Sequence, residues 1–198
     1  KQERFGSPMI QELYKKYRPT DLARVRGQEG AVKMLKSLIA QKAIPHAVLF
    51  TGPSGCGKTT LARIVAQELE CGKMDYCEVN GADDTGVDMV RGIRERMMSA
   101  PIAGKARVWV IDECHMLSKP AQNCILKSLE DTPPHVYFML ATTDPGKLLK
   151  TIITRCTEVS LKALTDKTLK KIVQSVAGQE GLQVTDEVLD KIVEYSQG

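Results

Sequence analysis

Short apolar segments alternate with amphipathic segments along most of the chain. The apolar segments predict buried strands over 47–50, 76–80, 108–112 and 136–142, because each is short and bounded by turn residues. The 3.6-residue spacing of apolar positions predicts helices over 30–40, 58–69, 87–99 and 120–129. Alternating strands and helices favour an α/β fold with a central parallel sheet covered on both faces.

Two amphipathic segments without strands follow this alternating region. They predict helices over 165–177 and 185–195, each opened by a threonine that can cap a helix. We therefore assign residues 9–161 to the α/β core and 162–198 to the beginning of a second, helical domain. Residues 1–8 end in Phe-Gly-Ser-Pro before Met9, which is typical of a cloning remnant, so they are left outside the fold prediction.

The composition is that of a soluble globular protein. Of 198 residues, 42% are hydrophobic and 26% charged, and the net charge of +4 is too small to indicate a partner by itself. No apolar run approaches the roughly 18 to 20 residues that a membrane helix needs, and no signal peptide opens the chain. These features predict a cytoplasmic protein without a membrane partner. Six cysteines without a CxxC pair predict reduced, mostly buried thiols.

Residues 52–59 read Gly-Pro-Ser-Gly-Cys-Gly-Lys-Thr and match the phosphate-loop pattern GxxxxGK[ST] between a predicted strand and a predicted helix. Backbone N–H groups of such a loop wrap nucleotide phosphates, while Lys58 would reach the β and γ phosphates and Thr59 would ligate Mg²⁺. The alternative is a glycine-rich turn that binds nothing. The predicted ATP-binding residues here are Gly52, Pro53, Ser54, Gly55, Cys56, Gly57, Lys58, Thr59 and Thr60.

The predicted strand over 108–112 ends in two acids, Asp112 and Glu113, 54 residues after Lys58. A phosphate-loop enzyme needs a carboxylate at a strand end for Mg²⁺, and Asp112 fits that role. Glu113 is placed to orient and activate the attacking water. Without the phosphate loop, a solvated strand end would be the simpler interpretation. His115 is interpreted as a packing or hydrogen-bonding residue rather than a base or a metal ligand.

The order of these motifs resembles the AAA+ ATPases, and among them the clamp-loader family, which includes bacterial DNA polymerase III gamma/tau, replication factor C small subunits and phage loaders. The resemblance covers residues 13–198. It implies that Tyr17, Arg18 and Pro19, with Val25 and Gly27, lie against adenine and ribose. It also implies an ATPase, with ATP and Mg²⁺, that loads a sliding clamp onto primer-template DNA together with other clamp-loader subunits.

Two further motifs carry the resemblance. Ala-Thr-Thr-Asp-Pro over 141–145 is similar to the family's sensor 1, which places Thr143 near the γ-phosphate. Thr-Arg-Cys over 154–156 resembles the family's Ser-Arg-Cys, so Arg155 is expected to reach the ATP site of a neighbouring subunit as an arginine finger. The alternative for Arg155 is an ordinary surface arginine.

The resemblance also implies contacts with DNA phosphates at two helix starts, although ordinary solvated helix ends remain an equal alternative. The implied contacts are Thr85, Gly86, Arg91, Ser118, Lys119 and Gln122. Two rival functions stay open. One is another AAA+ motor, such as a branch-migration helicase or an initiator ATPase, and the other is a nucleotide-binding scaffold subunit that does not hydrolyse ATP. By the same resemblance, a sensor 2 arginine and an oligomerising collar are expected beyond residue 198.

The cysteine pattern departs from that of bacterial gamma/tau subunits, which carry a four-cysteine zinc module after the phosphate-loop helix. This chain has only Cys71 and Cys77 in that region, and two thiolates cannot complete a four-coordinate structural zinc site. We therefore predict no structural zinc. Metal analysis of the purified protein should show no stoichiometric zinc, and one zinc per chain would contradict the prediction.

Overall fold

A computed structural model describes residues 13–83 and 85–196, so the segment read as a cloning remnant lies outside the described residues. Five parallel strands form one sheet in the order β2-β3-β4-β1-β5. The predicted α/β class with a central parallel sheet is confirmed. The strands are β1 (Ala47–Thr51), β2 (Cys71–Asn80), β3 (Ala106–Asp112), β4 (Val136–Thr142) and β5 (Thr157–Ser160).

Helices connect and follow these strands close to where the apolar spacing predicts them. Ser118 caps the helix after β3, since its Oγ accepts the N–H of Ala121 at 3.3 Å. Short 3₁₀ turns lie at Cys114–Met116 and Pro145–Lys147. The α-helices with both ends in the described residues are α1 (Glu29–Ala40), α2 (Lys58–Glu68), α3 (Val87–Met97), α4 (Lys119–Glu130), α5 (Lys150–Ile153), α6 (Asp166–Gln179) and α7 (Asp186–Tyr195).

Two apolar clusters cover the two faces of the sheet. One joins β1, β3 and β4 to α1 and α2, with Leu35 and Leu61 at its centre. The other joins the opposite side chains of the same strands to α3 and α4, with Ile93 and Ile125 at its centre. β1 is buried along its whole length, and β3 and β4 nearly so, as expected of central parallel strands.

The sheet differs from the prediction at its two edges. β5 was not predicted, because its sequence Thr-Glu-Val-Ser has no apolar run and buries only Val159. It is held instead by backbone pairing with β1. β2 begins at Cys71 rather than Tyr76, and its register with β3 shifts between these two residues. Most residues of both edge strands are half-buried or exposed, so hydrophobic patterning marks these strands weakly.

The thiols are less buried than predicted. All six cysteines are free, but only Cys56 and Cys114 are fully buried, while the other four are partly exposed. The prediction of mostly buried thiols is therefore wrong. No helix in the described part of the chain is both long and apolar enough to span a bilayer.

A buried ion pair holds the loop between α3 and β3. The Asp75 side chain on β2 is fully buried and lies 3.0 Å from Nη2 of Arg107 on β3. It also accepts the N–H groups of Ile102 and Ala103 at 2.8 to 2.9 Å. Burial opposes the charge of Asp75, but these backbone and guanidinium bonds outweigh it and lower the pKa of the carboxyl group.

Replacing Arg107 by Met should lower the free energy of unfolding by about 3 to 5 kcal/mol, because Asp75 would keep a buried charge without its partner. Since the pKa of Asp75 is lowered in the folded state, its favourable contribution is present above the unfolded pKa and lost as the pH falls through the folded pKa. Denaturant titration measures the effect at pH 7.

Arg94→Met is the matched control for that measurement. Arg94 pairs with Asp131 at 3.6 Å on the surface, with both side chains about half exposed. Its loss should cost under about 1 kcal/mol. Equal destabilisation by the two substitutions would show that the buried pair has no special role.

Candidate nucleotide-binding site

The carboxyl ends of β1, β3 and β4 meet at one edge of the sheet. Thr51, the last residue of β1, pairs in register with Thr142, the last residue of β4. β3 and β4 are also paired in register, so Asp112, the last residue of β3, lies beside these two threonines at the carboxyl ends of the strands. β1 lies between β4 and β5, whereas the next strand along the chain, β2, lies at the far side. Ligands of open α/β sheets bind at such reversals of strand order.

The loop over 52–57 leaves β1 at this edge and leads into α2. Gly52, Gly55 and Gly57 have φ angles of +148°, +74° and +101°, a region that side chains with a Cβ rarely adopt. A Cβ on Gly52 would lie 2.6 Å from the carbonyl oxygen of Leu161, so this glycine also permits close packing. The Cys56 thiol beside it is buried, and desolvation raises its pKa.

Lys58 opens α2 and folds back over the loop. Its Nζ donates to the carbonyl oxygens of Gly52 at 2.9 Å and Pro53 at 2.8 Å, and the residue is only 6% exposed. The first N–H groups of a helix have no partner within the helix. A buried ammonium, the amino end of a helix and glycines that let the backbone approach closely together form a donor set that fits phosphate groups.

Thr59 and Asp112 lie in direct contact. The Thr59 hydroxyl donates to Oδ2 of Asp112 at 2.8 Å, across a separation of 53 residues in sequence. Oδ1 of Asp112 accepts the N–H of Glu113 at 2.9 Å. The structure thus brings together the two residues that the sequence predicted as Mg²⁺ ligands, and their hydroxyl and carboxylate oxygens are the donor types that Mg²⁺ prefers.

Glu113 is held by residues from two elements. Its backbone is left-handed, with φ of 43°, which is uncommon for a residue other than glycine. Its Oε2 accepts from the hydroxyl of Thr143 at 2.9 Å and from the N–H of Thr143 at 3.2 Å. Nδ1 of His115 lies 3.2 Å from the same oxygen. The sequence singled out Glu113 and Thr143 but did not indicate the contact of His115 with Glu113.

Gln28 is a second residue whose contacts sequence reasoning missed. Its side-chain amide is 5% exposed and donates to the carbonyl oxygens of Cys56 at 3.1 Å and Lys162 at 2.7 Å. Its Oε1 accepts the N–H of Lys162 at 3.1 Å. Gln28 therefore ties the phosphate loop to the segment that leaves β5. Because its partners are backbone groups distant in sequence, no local pattern could have revealed it.

The residues expected near adenine and ribose lie on the segment before α1. The Tyr17 hydroxyl donates to Glu180 at 2.6 Å, beside the end of α6. Val25 packs against the apolar cluster around α2. Gly27 has φ of +75°, and a Cβ there would lie 2.6 Å from the side chain of Leu164. Arg18 and Pro19 are half-buried on the same segment.

Arg155 lies after α5, on the surface. Its guanidinium pairs with Glu130 at the end of α4 at 2.7 Å and donates to the carbonyl oxygen of Thr151 at 3.0 Å. The side chain remains 40% exposed. In the described ranges, its guanidinium partners belong to α4 and α5 rather than to the phosphate loop.

The residues expected to contact DNA fall into two groups. Most lie at the adjacent starts of α3 and α4, where the N–H of Ser118 donates to the carbonyl oxygen of Thr85 at 3.1 Å. Arg91 is 67% exposed on α3. Gln122 is different, since it is 2% exposed and its amide bonds to the backbone of Leu117 and Leu149. The structure does not place the Gln122 side chain on this surface.

Within 13–83 and 85–196, no group of three or more His, Cys, Asp or Glu side chains is placed to hold a metal ion. The expected absence of structural zinc stays a prediction for the metal analysis described above.

Curated relatives match nearly the whole chain. It is 37% identical over 209 residues to DNA polymerase III subunit tau of Bacillus subtilis, which covers 95% of this chain and 37% of the relative. It is 35% identical to DNA polymerase III subunit gamma/tau of Mycobacterium tuberculosis, a match that covers 94% of this chain and 36% of the relative. It is also 35% identical to DNA polymerase III subunit tau of Escherichia coli, over 95% of this chain and 32% of the relative. The chain thus spans about a third of the length of these relatives.

Solved structures share the fold. The Thermotoga maritima RuvB Holliday junction branch migration motor matches with a TM-score of 0.71 and 26% identity, over 91% of this chain and 60% of that chain. A DNA polymerase III gamma subunit-related protein of Thermotoga maritima matches with a TM-score of 0.61 and 20% identity, over 71% of this chain and 49% of that chain. The second likeness supports the fold alone.

A family model described as DNA polymerase III, delta subunit, matches residues 27–83 and 75–165. These two overlapping matches cover well over half of the chain and include the phosphate loop, Asp112, Glu113, Thr143 and Arg155. The gamma/tau relatives agree with the resemblance that the motifs indicated, which is thereby confirmed. The chain belongs to the DNA polymerase III delta-subunit family, with gamma/tau subunits among its relatives.

Proposed function

We propose that this protein is an ATP-binding and ATP-hydrolysing subunit of a DNA polymerase clamp loader, which places a sliding clamp on primer-template DNA. The observation that carries the proposal is the meeting of Thr59, Asp112, Glu113 and Thr143 beside a phosphate loop, through two hydrogen-bonded pairs. Relatives that are gamma/tau subunits of DNA polymerase III support the same function.

The phosphate loop would hold the ATP phosphates through its backbone N–H groups and Lys58. The Nζ group now bonds two carbonyl oxygens of the loop, and these bonds would be exchanged for stronger ones to charged phosphate oxygens. The base and ribose would lie against the segment from Tyr17 to Gly27. The adenine contacts rest on the resemblance, whereas the phosphate contacts also rest on loop geometry.

Thr59 and Asp112 would hold Mg²⁺, Thr59 directly and Asp112 directly or through water. Their present hydrogen bond shows that the two oxygens already face each other at 2.8 Å. Held by these two residues, Mg²⁺ would supply positive charge to neutralise the charge that develops on the phosphates.

Glu113 would orient the attacking water and accept its proton. Thr143 fixes Oε2 of this carboxylate through two hydrogen bonds, so the second oxygen, Oε1, is the one that would face the water. Thr143 would also sense the γ-phosphate, because it lies directly after the carboxyl end of β4 at the site edge. These assignments place the chemistry at the ends of β3 and β4.

Arg155 would serve the site of a neighbouring subunit. Its exposed guanidinium and its attachment to α4 and α5 suit an arginine that is presented outward. Arginine fingers in related phosphate-loop enzymes contribute about 10³- to 10⁵-fold to the rate. Isolated chains would therefore bind ATP but hydrolyse it slowly.

The remaining partners follow from the same proposal. They are other clamp-loader subunits, the sliding clamp and primer-template DNA, in the cytoplasm of a bacterial or phage-infected cell. Thr85, Gly86, Arg91, Ser118 and Lys119 would contact DNA phosphates at the starts of α3 and α4, without the buried side chain of Gln122. Residues 162–198 would begin the helical lid that follows an AAA+ core spanning 9–161.

A branch-migration motor is the second candidate, because the RuvB motor matches the fold with the TM-score of 0.71. The sequence comparison favours the clamp loader, since identity to the gamma/tau and tau relatives is 35 to 37% against 26% for RuvB. The Thr-Arg-Cys segment at 154–156 favours it as well. A scaffold subunit without hydrolysis is disfavoured because Lys58, Glu113 and Arg155 are all present.

ATPase assays of the full-length protein in its assembly test this function. Turnover should rise strongly when clamp and primed DNA are both present, since a loader couples hydrolysis to that complex. Lys58→Ala should abolish tight ATP binding, whereas Glu113→Gln should keep binding and stop turnover, because Glu113 acts mainly in the chemical step.

Three outcomes would contradict the proposal in different ways. Stimulation by branched DNA without a clamp would favour the motor. ATP binding without any turnover would favour the scaffold. Native turnover by Glu113→Gln would show that Glu113 is not the base.

Mixed assemblies test the role of Arg155. A subunit with Arg155→Ala keeps its own phosphate loop, and a subunit with Lys58→Ala keeps its own Arg155. Each variant alone should be inactive. In the mixture, activity should recover where the intact Arg155 of a Lys58→Ala subunit faces the intact phosphate loop of an Arg155→Ala subunit. If the two subunits are shown to assemble in that order and the mixture stays inactive, Arg155 does not act across the interface.

A further inference from the structure

His115 approaches the carboxylate of Glu113 from within the protein. The His115 side chain is 8% exposed and lies in the 3₁₀ turn that follows β3. Its Nδ1 lies 3.2 Å from Oε2 of Glu113 and 3.0 Å from the hydroxyl oxygen of Thr142. The hydrogen bond of this nitrogen is with Thr142, and a nearly buried imidazole nitrogen this close to a carboxylate is in a position to fix the orientation of that carboxylate.

The donors and acceptors around Nδ1 of His115 indicate whether this nitrogen carries a proton. An ionised carboxylate can only accept, so Nδ1 must carry a proton to bond Oε2 of Glu113. The Thr142 oxygen already accepts the N–H of Asp144 at 3.0 Å and can share the Nδ1 proton as a second acceptor. An unprotonated Nδ1 could accept the proton of the Thr142 hydroxyl, but its lone pair would then lie 3.2 Å from the carboxylate oxygen. The arrangement therefore favours the tautomer with hydrogen on Nδ1.

We propose that His115 is a positioning residue that donates from Nδ1 to Glu113 and holds this carboxylate in the orientation needed to activate water. With the two bonds from Thr143, Oε2 of Glu113 then has three donors, which leaves Oε1 for the water. The proposal deepens the proposed function and rests on the assignment of Glu113 as the base.

The backbone explains why Glu113 needs such support. Its left-handed φ of 43° costs energy for a residue with a Cβ, and such conformations persist where surrounding contacts determine them. The side chain is also 29% exposed, so packing alone does not fix its rotamer. Thr143 and His115 supply the restraint from β4 and from the turn after β3.

The tautomer can be measured without any turnover. In the ¹⁵N-labelled chain at pH 8, the nitrogen shifts of His115 should show a protonated Nδ1, and Glu113→Leu should move them because the acceptor is removed. A neutral His115 with an unprotonated Nδ1 would overturn the proposal, even if the protein proved not to hydrolyse ATP.

Kinetics of the full-length protein in its assembly provide the second measurement. His115→Leu should lower kcat about 10- to 100-fold with little change in KM or in affinity for ATP, since a mispositioned base affects the chemical step. His115→Asn should recover part of the loss, because its amide nitrogen can donate from nearly the Nδ1 position.

His135→Leu is the matched control. His135 is half-buried at the other end of the sheet, where its Nε2 lies 2.9 Å from the carbonyl oxygen of Ser99. This variant should keep the wild-type kcat. Unchanged or raised kcat in His115→Leu, with wild-type turnover present, would overturn the positioning role. Absence of turnover in the wild type would instead count against the proposed function and leave the tautomer measurement decisive.

Discussion

Parallel pairing of the central strands is the constraint on which the site depends. Because β1, β3 and β4 run in the same direction and in register, the residues that follow them arrive at one edge of the sheet. Thr59 and Asp112, 53 residues apart, meet there at 2.8 Å. The complete burial of β1 on both faces fixes this register, since a slip of one residue would move every side chain of the strand to the opposite face of the sheet. The apolar core thus sets the positions of polar atoms that contribute little to it.

The parts of the fold and site that the sequence predicted are those with a strong local signal. Central strands are continuous apolar runs, and the phosphate loop has glycines at fixed spacing, so both can be read from short segments. β5 could not be read in this way, because Thr-Glu-Val-Ser has no hydrophobic pattern and pairs only through its backbone. The cysteines were misjudged because exposure depends on tertiary packing rather than on residue type.

The contacts that the sequence did not reveal share one property. His115 hydrogen-bonds Thr142 and brings an imidazole nitrogen within 3.2 Å of Glu113, and Gln28 bonds the backbone of Cys56 and Lys162. Each is a single polar side chain in an ordinary sequence context, and its partner is defined by the fold. The phosphate loop is consequently joined to the segment leading into α6 by Gln28, and also by Gly52, which leaves room for the carbonyl of Leu161. A change in the shape of the phosphate loop would therefore act directly on the segment between β5 and α6.

The two edges of the sheet limit unwanted association between chains in different ways. An open strand edge can pair with the edge of another molecule and start aggregation. β5 offers only four residues for such pairing, and its Glu158 carries a charge beside the hydroxyl of Thr51. β2 is ten residues long, but its register shift between Cys71 and Tyr76 interrupts the regular row of backbone groups. Both edges of the sheet therefore disfavour pairing with the sheet of another molecule.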